Sequence, residues 1–167
     1  KTARTVIAGN AWLLEWALPH NPNAHLIPTP IDTDRWTPAA PRPPFMPNGQ
    51  EWALVVVWTG SSGNLPMLAP VAAALQKVRE RVPRMAFRIV CDRPPADELF
   101  PGAQFVPWSE RAEVEAVRSA DIGIMPLPDD AWSKGKCGFK LLQYMACGLP
   151  SVASPVGVNA DVLDGGC

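Results

Sequence analysis

Cys137-Gly138-Phe139-Lys140-Leu141-Leu142-Gln143-Tyr144-Met145-Ala146-Cys147-Gly148-Leu149-Pro150-Ser151-Val152-Ala153-Ser154-Pro155-Val156-Gly157-Val158-Asn159 is the stretch whose reading decides the fold. It reads as a helix over 138–147, a tight Gly-Pro turn, a short buried strand over 150–154 and a second glycine turn. The helix start is open to an anion. A helix N-terminus facing a loop at a sheet edge is a physical anion site, because unpaired N–H groups and the helix dipole both favour negative charge there.

Working upstream, Asp121 to Leu127 is an apolar strand that exits into a polar loop, Pro128 to Lys136. Ser109 is placed to cap a helix over 110–118, with Val114 and Val117 inward. Gln104 to Trp108 and Phe87 to Cys91 read as strands. Leu68, Val71, Ala72, Leu75, Val78 and Val82 repeat at helical spacing over 65–82. Asn64 is a plausible N-cap for that helix. Pro70 is awkward inside it, so the helix either begins late or kinks near its start. Trp52 to Thr59 is the strongest strand, β-branched and apolar on both faces, as a central parallel strand requires. At the N-terminal end come a strand at Thr5 to Ala8, a helix over Ala11 to Leu18 stopped by Pro19, and a strand at His25 to Pro28.

Such alternation of strands and helices predicts an α/β fold, a doubly wound parallel sheet with helices on both faces. Right-handed crossovers then gather the strand C-termini at one edge, with loops 60–64, 92–97, 107–110, 126–138 and 154–159. Many of the 20 prolines crowd between Pro28 and Pro47 and mark a linker at about 37–51. The expected organisation is therefore a leading segment 1–36, the linker 37–51, and a domain over 52–167. The abrupt ends, Lys1 and Cys167, read as those of a fragment of a longer chain.

Bulk properties narrow the function classes. A chain of 167 residues that is 47% hydrophobic and 19% charged can build a real core. A net charge of −1 gives no general attraction to nucleic acid or to anionic membranes, so any anion site is local. No apolar run in the sequence is long enough to span a bilayer, and no stretch of it reads as a signal peptide. The 4 cysteines form no CxxC pair and no Cys/His cluster, which argues against zinc and for reduced thiols in a cytoplasmic protein. Asp129-Asp130 is weak evidence for Mg²⁺, and the expectation is a site without metal or cofactor. His20 and His25 have no partnering motif and read as surface or structural residues.

Two loops carry the candidate chemistry. In Gly60-Ser61-Ser62-Gly63-Asn64 the glycines let backbone approach a ligand ahead of a helix, although a plain strand-to-helix turn has the same composition. It is neither a P-loop nor the G-x-G-x-x-G that a dinucleotide-binding dehydrogenase would carry after its first strand, which argues against a dehydrogenase. Lys134-Gly135-Lys136-Cys137-Gly138-Phe139-Lys140 places three lysines at a helix start, where they oppose the dipole. Lysines so placed suit an anion held by backbone N–H groups at about 138–141, with Lys136 or Lys140 neutralising its charge. A solvated basic loop is the alternative.

The stretch 137–159, with Pro28-Thr29-Pro30-Ile31-Asp32 and the 55–65 strand and loop, resembles the two-domain (GT-B) retaining glycosyltransferases of the glycosyltransferase-4-like family. The resemblance implies a Rossmann-like donor-binding half and a sugar, of the hexosyl class, moved from a nucleotide diphosphate to an acceptor. The acceptor would be held by the other half, so the chain alone would bind donor weakly and transfer nothing. It implies donor diphosphate contacts at Gly60, Ser61, Lys136, Gly138, Phe139, Lys140 and Leu141. Pro107 and Trp108 would meet the base, although a tryptophan at a strand end also packs well. The family's paired glutamates, eight positions apart, fall on Gly135 and Gln143. Gln143 can still bond ribose hydroxyls but is uncharged. These two departures keep open a degenerate, non-catalytic nucleotide- or partner-binding domain. A peripheral membrane location is left open by the resemblance alone.

Overall fold

The computed structural model describes residues 3–40, 54–96 and 98–164. Most of the expected linker and the first two residues of the expected strand Trp52 to Thr59 lie outside them. A leading βαβ unit is formed by β1 (Val6–Ala8), α1 (Ala11–Ala17) and β2 (Ala24–Leu26), with its two strands parallel. The main unit follows: β3 (Leu54–Thr59), a 3₁₀ helix (Ser62–Leu68), α2 (Ala69–Arg81), β4 (Met85–Cys91), β5 (Gln104–Pro107) and α3 (Glu110–Arg118). It continues through β6 (Ile122–Met125), α4 (Ala131–Lys134), α5 (Phe139–Ala146), β7 (Ser151–Ala153) and α6 (Asn159–Asp164).

The sheet is parallel throughout, in the order β5-β4-β3-β6-β7. The expected α/β doubly wound architecture is thus observed. The chain builds outward from β3 to β5, then returns to lay β6 on the other side of β3. At such a reversal the flanking loops diverge and leave a crevice beyond the strand C-termini.

Strand side chains alternate between the two faces. Val55 and Val57 enter one core with Val117, Leu141 and Tyr144, beneath α3 and α5. Val56 and Trp58 enter the other with Leu68, Phe87 and Ile89, beneath α2 and the 3₁₀ turn. Tyr144 is fully buried and its hydroxyl donates to the Ile124 carbonyl at 3.2 Å. Its ring lies so close to β6 that a Cβ on Gly123 would collide with it.

The helix expected over 65–82 divides in two. Pro66 sits within a 3₁₀ stretch, and α2 begins only at Ala69, which puts Pro70 in the first turn, where its missing N–H costs nothing. Asn64 accordingly does not cap α2. Ser109 caps α3 as expected, accepting from the Ala112 N–H at 3.1 Å. The short helices α4 and α6 arise where the sequence suggested only loop and turn.

Candidate functional site

The crevice at the C-terminal ends of β3 and β6 is a cleft of about 280 Å³. Its walls come from Thr59 and Gly60 after β3, Glu113 on α3, Met125 at the end of β6, and residues 136–140 with Gln143 at the start of α5.

Gly138 determines how α5 begins. Its φ of 68° lies in the left-handed region, where a side chain is strained, and it makes no side-chain cap. By contrast, Asn10, Ser109 and Asp130 cap α1, α3 and α4. The N–H groups of Phe139 and Lys140 therefore make no hydrogen bond among the described residues and are left for a ligand. The Leu141 N–H donates to the Gly138 carbonyl at 2.9 Å, and the Leu141 side chain is fully buried in the core. Of the four expected α5 positions, three line the cleft and Leu141 stands behind it.

Two cations face this helix start. Lys140 is partly buried, with its ammonium 5.6 Å from the Trp58 ring centroid, a cation–π contact. Gly60 allows this packing: a Cβ there would lie 2.7 Å from the Trp58 ring and 3.3 Å from Lys140 Cε. Burial, with Lys136 as a second cause, lowers the Lys140 pKa to about 8, and Glu113 partly offsets the fall. The Lys136 ammonium donates to Asn64 Oδ1 at 3.1 Å and lies 5.7 Å from the Trp132 ring. Lys134 turns away to Asp129, with 3.0 Å between their charged atoms. Asp130 caps α4 through the Ser133 N–H, and that bond holds its carboxyl below the usual range.

The glycine loop offers less than its composition suggested. The Gly60 N–H donates to the Val90 carbonyl and the Ser62 N–H to Asp92 Oδ1. Asp92, whose pKa is lowered by its bonds to Ser62, pins the loop from the end of β4. Gly60 thus contributes space, and Ser61 accepts from Asn64 through both its carbonyl and its hydroxyl. Pro107 and Trp108 end β5 at the outer edge of the sheet, two strands from the crevice, and do not line it. Trp108 is half exposed, and its N–H donates to the Cys91 carbonyl.

Gln143 is placed at the cleft, buried, with its amide donating to Glu113 Oε1 at 3.2 Å. The same oxygen accepts the Thr59 hydroxyl at 2.6 Å. Sequence reasoning missed Glu113 and Thr59. In sequence Glu113 reads only as an acid in the first turn of a helix; the contacts that define it span 30 and 54 residues. Gly135 opens onto a second hollow of about 400 Å³, lined by Trp12, Leu13 and Trp132, which meets the cleft at Lys136.

The leading unit touches the site as well. Asn10 caps α1 with its oxygen and spends its amide on the Lys134 and Lys136 carbonyls, both at 3.0 Å. Gly9 packs against the Cys137 thiol with no room for a Cβ.

Chemically, the arrangement can hold a phosphorylated ligand by two backbone N–H groups and two ammonium groups, beside a single oriented carboxylate. A family model described as "Glycosyl transferases group 1" matches residues 53–167. Among solved structures, the C-terminal domain of a glycosyl transferase group 1 family protein (LpcC) from Francisella tularensis matches with 15% identity and a TM-score of 0.49. That match covers 77% of this chain and 72% of that one. No curated protein matches.

Proposed function

The chain belongs to the group 1 glycosyl transferases, and we propose that its cleft binds the diphosphate of a nucleotide-sugar and that the enzyme transfers the sugar with retention of configuration. The observation that carries this reading is the uncapped start of α5, facing Lys136 and Lys140 at the sheet's reversal point. The diphosphate lies against the Phe139 and Lys140 N–H groups. As the bond from sugar to phosphate breaks, negative charge grows on the departing diphosphate. Fixed N–H dipoles and the lysine ammonium groups stabilise that charge without reorganising, and so lower the barrier. The glycosyl group extends past Lys136 toward the Gly135 hollow, where the exposed face of Trp132 suits a sugar ring.

The experiment is a thermal-shift titration against UDP, GDP, ADP and their sugar conjugates, with NAD as control. A ligand at 100 times its Kd adds about 2.7 kcal/mol of stability. The expected result is a shift with one diphosphate family that is lost in Lys136→Ala. Shifts of equal size with NAD, or none with any diphosphate, would sink the donor-site reading. A binding shift with no sugar transfer by the intact enzyme would favour a non-catalytic nucleotide-binding domain, the reading that the bare Gly135 position supports.

A further inference from the structure

Trp36 and Trp58 are buried in the core, but Trp16 is 64% exposed, Trp132 73% and Trp12 36%. These three indoles are not scattered. Trp12 and Trp132 line the same hollow of about 400 Å³, the one that Gly135 opens onto. Trp16 follows Trp12 by four residues on α1, a spacing that sets the two side chains on one side of the helix, about 5–6 Å apart at Cβ. That distance is close to the repeat of one hexose unit along an extended chain. A grouped apolar surface of this kind marks a binding face, whereas single exposed residues do not.

The hollow adjoins the donor cleft at Lys136. An acceptor has to bring its reacting atom within about 3–3.5 Å of the group it receives, so it enters the space that the glycosyl group reaches. The walls there are indole faces and alkyl groups, and the one ammonium, on Lys136, is engaged with Asn64 and with the Trp132 ring. A densely charged ligand finds little to meet, and an acyl chain gains little against an indole that is mostly in water. A sugar ring suits both conditions. Its C–H groups are drawn to the negative face of an indole, while the hydroxyls at its rim stay solvated. Glu15 is exposed and lies at helical spacing beside Trp12 and Trp16, where its carboxylate can accept from those hydroxyls. It is also the only charge on α1, which therefore offers no cation to an anionic lipid surface. We propose that Trp132, Trp12 and Trp16 form a stacking track for a glycan acceptor, one sugar ring to each indole, leading from the donor cleft along α1. This rests on the nucleotide-sugar reading. It makes the acceptor a chain of several sugars, since a single ring engages only part of the track.

The test is NMR of the indole N–H groups of the chain, titrated with malto-, cello-, chito- and manno-oligosaccharides of one to six units, with and without UDP, GDP or ADP. The expected result is that at least one series moves the Trp12, Trp16 and Trp132 resonances saturably and leaves those of Trp36 and Trp58 in place. Within that series four units bind about tenfold or more tighter than one, as added stacking contacts require. Trp16→Ala lowers the affinity for four units by about fivefold and that for one unit hardly at all. A merely structural role for Trp16 would not separate long chains from short ones. Equal affinity for one unit and for four overturns the inference, as does the absence of shifts in all three indoles with every series. In either case the diphosphate titration of the same preparation still reads the donor site separately. Indole shifts with phosphatidylglycerol vesicles and with no oligosaccharide overturn it in favour of a membrane surface. If no nucleoside diphosphate binds, the donor reading and this inference fall together.

Discussion

Lys140 sets stability at a single residue against the anion binding proposed for it. Its ammonium is partly buried against Trp58, and burial lowers its pKa to about 8 from 10.5. Folding therefore favours the neutral amine. The sign follows directly: stability from this group is present above about pH 10.5 and lost as pH falls through about 8, so at pH 7 the charged lysine opposes folding. Anion binding runs the other way, since only the ammonium attracts phosphate. Diphosphate affinity should fall as pH rises from 7 through 8, a range in which the terminal phosphate, with its second pKa of about 6, is already ionised, and calorimetry across pH 7–9.5 would check it. Lys140→Met should raise the melting temperature of the unliganded chain at pH 7, by a stabilisation on the order of 1 kcal/mol. The same variant should lose most of its diphosphate affinity and its dependence on pH. A Lys140→Met chain that is less stable and still binds would contradict this account.

At the scale of the element, α5 and its approach were the most legible part of the molecule. The apolar repeat of Leu141, Leu142 and Tyr144, and glycines bracketing the run at 138 and 148, specify helix and stop through local chemistry. Ser109 and α3 were legible for the same reason, as was β3, whose β-branched run suits a strand buried on both faces. The division of the expected 65–82 helix was not, because two prolines four positions apart, Pro66 and Pro70, favour a 3₁₀ entry that apolar spacing does not report. The acid of the site was hidden for a different reason. Helix periodicity says that Glu113 lies in the first turn of α3, and only the sheet order brings that turn beside Gln143 and Thr59. The open start of α5 depends on Gly138 holding a φ of 68°, with Val158 Cγ1 3.2 Å from the place a Cβ would occupy. Gly138→Ala should cost about 1–2 kcal/mol in chemical denaturation and weaken diphosphate binding, because the first-turn N–H groups shift with the backbone.

At the scale of the whole molecule, the cleft is assembled from distant parts of the chain. Strands β3 and β6 meet where the sheet order reverses, α3 supplies the acid, α5 supplies the donors, and Asn10 of the leading unit ties down the backbone on either side of Gly135. Asn10 is 5% exposed, and its amide satisfies two carbonyls more than 120 residues away. Asn10→Ala removes those bonds and the cap of α1 together. It should destabilise the chain by about 2–3 kcal/mol, from the unsatisfied carbonyls and the lost cap. It should also reduce diphosphate affinity although Asn10 does not line the cleft, since Lys136 is carried on the backbone it holds. Thermal melts and titrations of the same preparation separate the two effects.

The central claim is that a nucleoside diphosphate sits on the start of α5. The most direct measurement is amide nitrogen–proton NMR of the chain titrated with UDP, GDP and ADP. The account predicts that the Phe139 and Lys140 resonances move most, saturably and with one base preferred, and that Trp108 at the outer edge of the sheet moves little. Saturable shifts centred elsewhere on the molecule, with Phe139 and Lys140 unmoved, would contradict it.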